Sequence, residues 1–289
     1  TSLFYILKYP FDRVNSLHFT TSLRHNRYAL KATDDISLYQ PNINSFWVGV
    51  KTEYVLDFSV PLSMNMKKGM RGKAFAEWMC TPNKTFLNMA VIGIDMRHYT
   101  PLHRNIVWAN RFAASTSFGK NRLIYYMGGL DNWWFAKFNS DIYVDTGINY
   151  TYQALATNMR GFEQNIRNGT SFFVFNSEFR FSIIQLIMNK PLKNNFLNSL
   201  QIIAFGDIGT AWTGPSPYSE SNSLFKQIIQ SGPSIKITLN KQTEPIVAGF
   251  GTGIRFLLLG YFLRFDYAWG IENYKINKGM FYISLNLDF

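Results

Sequence analysis

The sequence predicts an all-β protein, a transmembrane antiparallel β-barrel. Three observations carry that expectation: a two-residue apolar–polar period that recurs along the chain, a composition rich in aromatics and poor in charge, and a last segment whose apolar positions end on an aromatic. Strands of a membrane barrel alternate lipid-facing and lumen-facing side chains, so the whole averages to neutral hydropathy. Aromatic residues make up 17% of the 289 and charged residues 16%, against about a quarter charged in an ordinary soluble domain. Mean hydropathy is -0.09. No apolar run approaches the ~20 residues of a membrane-spanning helix; the densest, residues 256–265, is broken by Gly260 and Arg264. A helical membrane protein is thereby excluded.

The terminal segment is the clearest single case. Phe281, Ile283, Leu285, Leu287 and Phe289 are apolar, while Tyr282, Ser284, Asn286 and Asp288 between them carry polar groups. Successive strand side chains point to opposite faces, so one face suits lipid and the other a wet lumen. A soluble sandwich also alternates, but a chain that stops on an aromatic at the last outward position matches the final strand of an outer-membrane barrel.

The same period predicts the earlier strands. Residues 3–9 read as the end of a strand followed by a turn at 10–13. Residues 15–24 set Leu17, Phe19, Thr21 and Leu23 against Ser16, His18, Ser22 and Arg24, and 46–60 set Phe46, Val48, Val50, Tyr54, Leu56 and Phe58 against Lys51, Glu53 and Asp57. A turn at 61–69 precedes a weaker strand, 70–79. Ile92, Ile94 and Met96 oppose Gly93, Asp95 and Arg97, and over 106–117 Trp108 and Phe112 oppose Arg111, Ser115 and Ser117. Further on, 173–183 places Phe175, Phe179 and Ile183 against Asn176, Glu178 and Arg180. Residues 200–212 place Ile202 and Ile208 against Gln201 and Asp207. In 246–258, Phe250, Ile254 and Phe256 are outward, with Gly249, Gly251, Gly253 and Arg255 inward. Residues 261–269 oppose Leu263, Phe265 and Tyr267 to Arg264 and Asp266. This makes roughly ten or eleven strands, each near the length that crosses a bilayer when tilted. An open lipid-facing edge is not viable, so further strands are expected before Thr1. Residues 1–10 show neither the basic start nor the small-residue cleavage site of a signal peptide, which reads as a mature chain or a fragment.

Other function classes fit less well. A net charge of +11 and aromatic abundance would suit a nucleic-acid surface, but the Lys and Arg are dispersed rather than clustered, and no nucleic-acid partner is expected. A lone cysteine, Cys80, forms no disulfide framework and no zinc site. The four histidines, His18, His25, His98 and His103, sit in no nucleophile–base setting. Neither enzyme activity nor a cofactor or metal is expected. The inward glycines 249, 251 and 253 lie within a strand, not at a turn opening into a helix, so they read as places where the wall admits a close loop.

Two segments break the rhythm. Residues 214–233 are Ser- and Pro-rich and read as a plain surface loop. Residues 119–169, inserted in what otherwise reads as one barrel domain over 1–289, are too long and too rich in Trp, Tyr and Gly for a bare connection; such loops fold onto something. That loop ends on Arg160, Gly161 and Phe162, then Asn168 and Gly169 and the strand from Ser171. With the 205–212 stretch Phe-Gly-Asp-Ile-Gly-Thr-Ala-Trp, and with 251–255 and 263–268, this order of motifs resembles the barrel domain of the BamA and TamA superfamily of outer-membrane assembly translocases, also known as bacterial surface antigens. The resemblance is strongest over 106–289. It departs in one respect: Gly128 and Gly129, which in much of the family sit close to the Arg-Gly-Phe element, are separated from Arg160 by an insertion. That insertion is most similar to a branch with a propeller-like region ahead of the barrel.

The resemblance implies a barrel of about sixteen strands when complete, in the bacterial outer membrane, whose first and last strands pair poorly. It implies that Arg160 folds back into the lumen to meet Asp207, with Glu178 and Asp266 as alternative partners. The terminal strand, Phe281 to Phe289 in its outward phase, would then be half of a moving seam. The implied role is assistance in inserting or translocating proteins, with outer-membrane lipid, client proteins and periplasmic accessory proteins as partners. A passive porin or transporter, or a barrel anchoring a larger surface or periplasmic assembly, is the alternative.

Overall fold

The computed structural model describes residues 1–29, 31, 39, 41–82, 88–144, 150–188, 195–231, 235–240, 243–285 and 288. One sheet of thirteen strands dominates it. Eleven of them follow one another round the wall: β1 (Ser2–Pro10), β2 (Asn15–Tyr28), β3 (Ile43–Asp57), β5 (Met66–Cys80), β6 (Asn88–His103), β7 (Ile106–Gly119), β11 (Ser171–Ser182), β12 (Gln201–Trp212), β15 (Val247–Leu258), β16 (Tyr261–Glu272) and β18 (Met280–Leu285). Every neighbouring pair is antiparallel. Two short strands flank the wall, β4 (Val60–Ser63) on β5 and β17 (Lys275–Ile276) on β16. The chain is an antiparallel barrel-type sheet, as the alternation predicts. Among the described residues β1 pairs only with β2, and β18 has β16 as its wall neighbour.

The two faces of the sheet differ as a period of two requires. On β7 the burial pattern alternates strictly, with Trp108, Phe112 and Phe118 exposed and Val107, Ala109, Arg111 and Ser117 buried. Over most of their length β11, β12 and β15 alternate likewise, and their outer faces present Phe175, Phe179, Ile202, Ile208, Phe250 and Ile254. An outer surface that apolar is far larger than a water-facing monomer carries, and it suits contact with acyl chains. Aromatic pairs tile it: Trp108 stacks on Phe179 at 5.8 Å and Phe256 on Phe265 at 5.5 Å.

Inside, the upper half of the lumen, on the rim carrying the 119–169 loop, is filled by that loop. It contains a small sheet in which β8 (Arg122–Met127) pairs in parallel with β9 (Tyr150–Leu155) and antiparallel with β10 (Arg167–Gly169). Leu123, Tyr125, Met127, Met159, Phe162 and Ile166 of the loop form one apolar cluster with Trp47 of β3, Met79 of β5, Val91 of β6, Val174 of β11 and Val247 of β15. The loop therefore bridges the lumen from wall to wall. The opposite rim is narrowed by the turn after β4. Asn65, in the left-handed region at φ 55°, points into the lumen, donates to Gln201 at 3.2 Å and accepts from Arg180 at 3.0 Å.

Several local expectations need correction. The 214–233 segment is not a plain loop: after a 3-10 turn at Ser223–Phe225, β13 (Lys226–Ser231) pairs with β14 (Ile235–Asn240). The 173–183 strand stops at Ser182, and Ile183 opens the short helix α1 (Ile183–Met188). A second, α2 (Asn195–Ser199), follows near β15, where Phe196 meets Phe256 at 5.1 Å. The weak strand at 70–79 is one of the longer ones: Met66 to Gly69 precede it, pairing with β4 and with Tyr99, and Cys80 extends it at the other end. A Lys-rich, glycine-broken start conceals it in the sequence. Cys80 is a buried free thiol.

Candidate functional site

The site is built on cross-strand rows that the register defines. Asn176 on β11 lies opposite Asp207 on β12, which lies opposite Gly249 on β15, which lies opposite Gly270 on β16. All four face the lumen at one level, two offering polar groups and two offering nothing beyond the backbone. The loop residues 160–162 lie across this row. A side chain on Gly249 would run into the carbonyl oxygen of Arg160, and one on Gly270 would meet the Gly161 oxygen at 2.6 Å. Gly161 itself has φ 95° and sits against the Gly270 nitrogen, 2.6 Å from where a Cβ would stand. Glycine is required there both by conformation and by space. The inward glycine at 249 thus admits a loop, as its place in a strand suggests; Gly270 does so equally and its sequence setting gives no sign of it.

Arg160 is buried and fully engaged. Its Nε donates to Asp207 Oδ2 and its Nη2 to Asp207 Oδ1, both at 2.7 Å, a bidentate fork. Its Nη1 donates to Glu178 Oε1 at 2.7 Å and lies 3.8 Å from Asp266 Oδ2. The guanidinium carbon sits 3.5 Å from the centre of the Phe205 ring, and the Arg160 amide adds a hydrogen bond to Asp207 at 3.1 Å. So the three carboxylates expected as partners, Asp207, Glu178 and Asp266, surround Arg160, with Asp207 and Glu178 in direct contact. Asn176 fixes Asp207 from the side, donating to Oδ1 at 2.8 Å and to the Asn158 carbonyl of the loop at 2.8 Å.

The rows below hold the counter-charges. Arg255 donates to both oxygens of Glu178, at 2.8 and 3.0 Å, and Arg180 donates to Glu178 Oε2 at 2.9 Å. Arg264 donates to Asp266 at 3.2 Å and to the Asp288 carbonyl at 3.0 Å, and Arg180 reaches the Asp288 carboxylate at 3.0 Å. Asp288 also takes the Tyr99 hydroxyl and Arg97 of β6. Four buried guanidiniums, Arg160, Arg180, Arg255 and Arg264, thus stand among four carboxylates, Glu178, Asp207, Asp266 and Asp288. Balanced charge is what allows such a cluster to be desolvated, because each ion alone would cost several kcal/mol to bury.

The terminal strand clamps the loop. Tyr282 of β18 is fully buried; its hydroxyl accepts from the Gly161 amide at 2.9 Å and donates to the Phe162 carbonyl at 2.8 Å. Phe281 is 54% exposed on the outer face, with Ile283 and Leu285 half-buried beside it; Leu287 and Phe289 lie outside the described residues. The insertion between Gly129 and Arg160 does not part them in space, because the Met159 amide donates to the Gly129 carbonyl at 3.0 Å and the insertion leaves and returns at one point. A second anchor sits at the upper rim, where buried Arg167 donates to Glu272 at 2.7 Å and to the Glu244 and Pro245 carbonyls.

Sequence reasoning missed Arg180, Arg255 and Arg264 as partners of the acidic residues, and missed Tyr282 as a clamp. The inward phase marks all of them as lumenal, but only register says which meet. Among the described residues no group of three or more His, Cys, Asp or Glu is placed to hold a metal ion.

No protein-family model matches the chain, and no curated protein matches it. Among solved structures it is similar to BamA from Haemophilus ducreyi lacking POTRA domains 1-3, with a TM-score of 0.56 at 13% identity over 99% of this chain and 54% of that one. CdiB from Acinetobacter baumannii matches with a TM-score of 0.40 at 15% identity, over 99% of this chain and 50% of that one. The chain spans about half the length of these structures. What it has, on the strength of the first, is the fold of the BamA barrel.

Proposed function

We propose that the chain is the barrel part of a BamA-like protein of the bacterial outer membrane, which assists the insertion or translocation of other proteins without catalysing a reaction. The observation that carries this reading is the Arg160 loop, which is held inside the lumen by the charge-balanced cluster and clamped by Tyr282 of the edge strand β18. A loop packed across the lumen and pinned there by ion pairs occupies the space an aqueous path would need on its side of the barrel, which argues against a passive porin. The terminal strand β18, which among the described residues has β16 as its wall partner and touches the loop, would serve instead as one side of a seam through which client strands reach the bilayer. Lipid covers the outer aromatic face, and client and accessory proteins are the partners.

The test is Arg160→Ala in the full-length protein. Client proteins are expected to fall several-fold in the outer membrane while the variant barrel itself stays folded there. Normal client insertion in that variant overturns the reading. A large, steady single-channel conductance unaffected by removing residues 131–158 would favour the porin.

A further inference from the structure

We propose that residues 132–134 are a resident latch on the edge of the terminal strand that faces away from β16, a segment that another extended strand must displace before it can pair along that edge. The inference rests on the reading of β18 as a seam. Trp133 forms an antiparallel bridge with Ser284, the Trp134 amide donates to the Ile283 carbonyl at 3.0 Å, and Asn132 Nδ2 donates to the Leu285 carbonyl at 3.2 Å. Trp133 is buried with its ring 4.8 Å from that of Tyr282. The insertion thus supplies one short strand to the edge that faces away from β16.

Two features mark this contact as displaceable. It is brief: among the described residues it engages Ile283, Ser284 and Leu285, and one of the hydrogen bonds comes from a side chain. The first half of β18 is not covered, since a cleft of about 600 Å³ runs beside Gly279, Met280 and Phe281, between them and Trp133 and Phe135 of the loop. An unpaired strand edge is a template for any extended segment, with main-chain hydrogen bonds giving affinity and alternate side-chain sites giving selectivity. A segment entering along Met280 and Phe281 would extend towards Leu285 and exchange two hydrogen bonds for a full ladder. The partner that fits is an extended β-segment of alternating apolar and polar residues, with an aromatic at the position Trp133 now fills against Tyr282. Because Tyr282 also holds Gly161 and Phe162, displacement of the latch reaches the Arg160 loop directly.

The bridge geometry supplies the test. With the hydrogen bond from residue 134 to 283, Trp133 and Ser284 form a non-hydrogen-bonded pair, whose Cα atoms stand about 4.5 Å apart, a separation a disulfide spans. Trp133→Cys and Ser284→Cys are introduced together with Cys80→Ser in the full-length protein, reconstituted in phosphatidylethanolamine and phosphatidylglycerol vesicles. The probe is a fluorescent synthetic peptide of the sequence of residues 280–289. The disulfide is expected to form under mild oxidation, and the oxidised protein to bind the peptide at least about tenfold more weakly than the reduced protein, a difference of the size a lost edge produces. Trp133→Gly alone, free to open, is expected to bind more tightly than the parent. Failure of the folded protein to cross-link, equal binding before and after oxidation, or no binding to the reduced and Trp133→Gly forms overturns the latch. The functional reading is judged separately, by client insertion in Arg160→Ala. A peptide effect with normal insertion leaves the latch and removes that reading, and the converse outcome does the reverse.

Discussion

Strand β3 and strand β11 share an apolar–polar alternation and differ in what their inward residues meet. In the first region the charges are partly hydrated: Glu53 pairs with Lys51 at 2.9 Å and Lys73 at 3.6 Å, with lysine side chains 30% and 44% exposed. In the second, Asn176, Glu178 and Arg180 of β11 are buried at every inward position. The loop makes the difference: it covers the inward residues of β11, whereas on β3 and β5 it packs at Trp47 and Met79 and leaves the Glu53 group partly open to water. An identical strand pattern therefore yields ion pairs of very different weight, small where water screens them and large where it does not.

The largest expected effect comes from the buried side. Glu178→Gln leaves Arg180 and Arg255 facing each other without their shared carboxylate and weakens the hold on Arg160. A loss of about 3–5 kcal/mol follows from breaking a buried ion pair on one side, read as a lower urea midpoint of the barrel in bilayers; a shift no larger than that of a surface variant would contradict the account. Next is Gly270→Val, which puts a side chain where the Gly161 oxygen and Phe162 ring lie. Overpacking of this kind costs about 1–3 kcal/mol, and expulsion of the loop should appear as new protease cleavage between residues 119 and 169. The smallest is Glu53→Gln, below about 1 kcal/mol for a screened pair, with client insertion unchanged. A large effect there would erase the contrast between the two regions.

Much of this was legible in the sequence, and the limit is physical. Phase alone places Asp207, Glu178, Asp266 and the three lower arginines inward, and the loop motif marks Arg160. Phase does not say which inward residues share a level. That depends on register, which sets Asp207 beside Asn176 and Gly249 rather than a residue higher or lower, and on the curvature that brings Asp288 to Arg97 and Tyr99. Tyr282 looked like one more polar alternate until its hydroxyl met the loop backbone. The pairing of β13 with β14 is hidden in the sequence because the first begins within a Ser- and Pro-rich stretch and Pro233 lies between the two. The insertion obscured the nearness of Gly129 to Arg160, since distance along the chain says nothing about a loop that closes on itself.

The double contact of Arg160 also limits what a charge reversal can restore. Arg160 contacts Glu178 as well as Asp207, so Arg160→Asp with Asp207→Arg leaves one unfavourable carboxylate contact and restores function only in part. A direct measurement bears on the loop rather than on its consequences. Thr157 lies beside the Arg-Gly-Phe element and is 3% exposed. With Thr157→Cys as the sole thiol, in a Cys80→Ser background of the full-length protein, labelling by a membrane-impermeant maleimide reports whether the loop is seated in the lumen. Slow labelling is predicted while Arg160 is present, rising at least about tenfold with Arg160→Ala as the loop opens. Fast labelling with Arg160 intact, or the same slow rate without it, would contradict the claim that this arginine holds the loop inside the barrel.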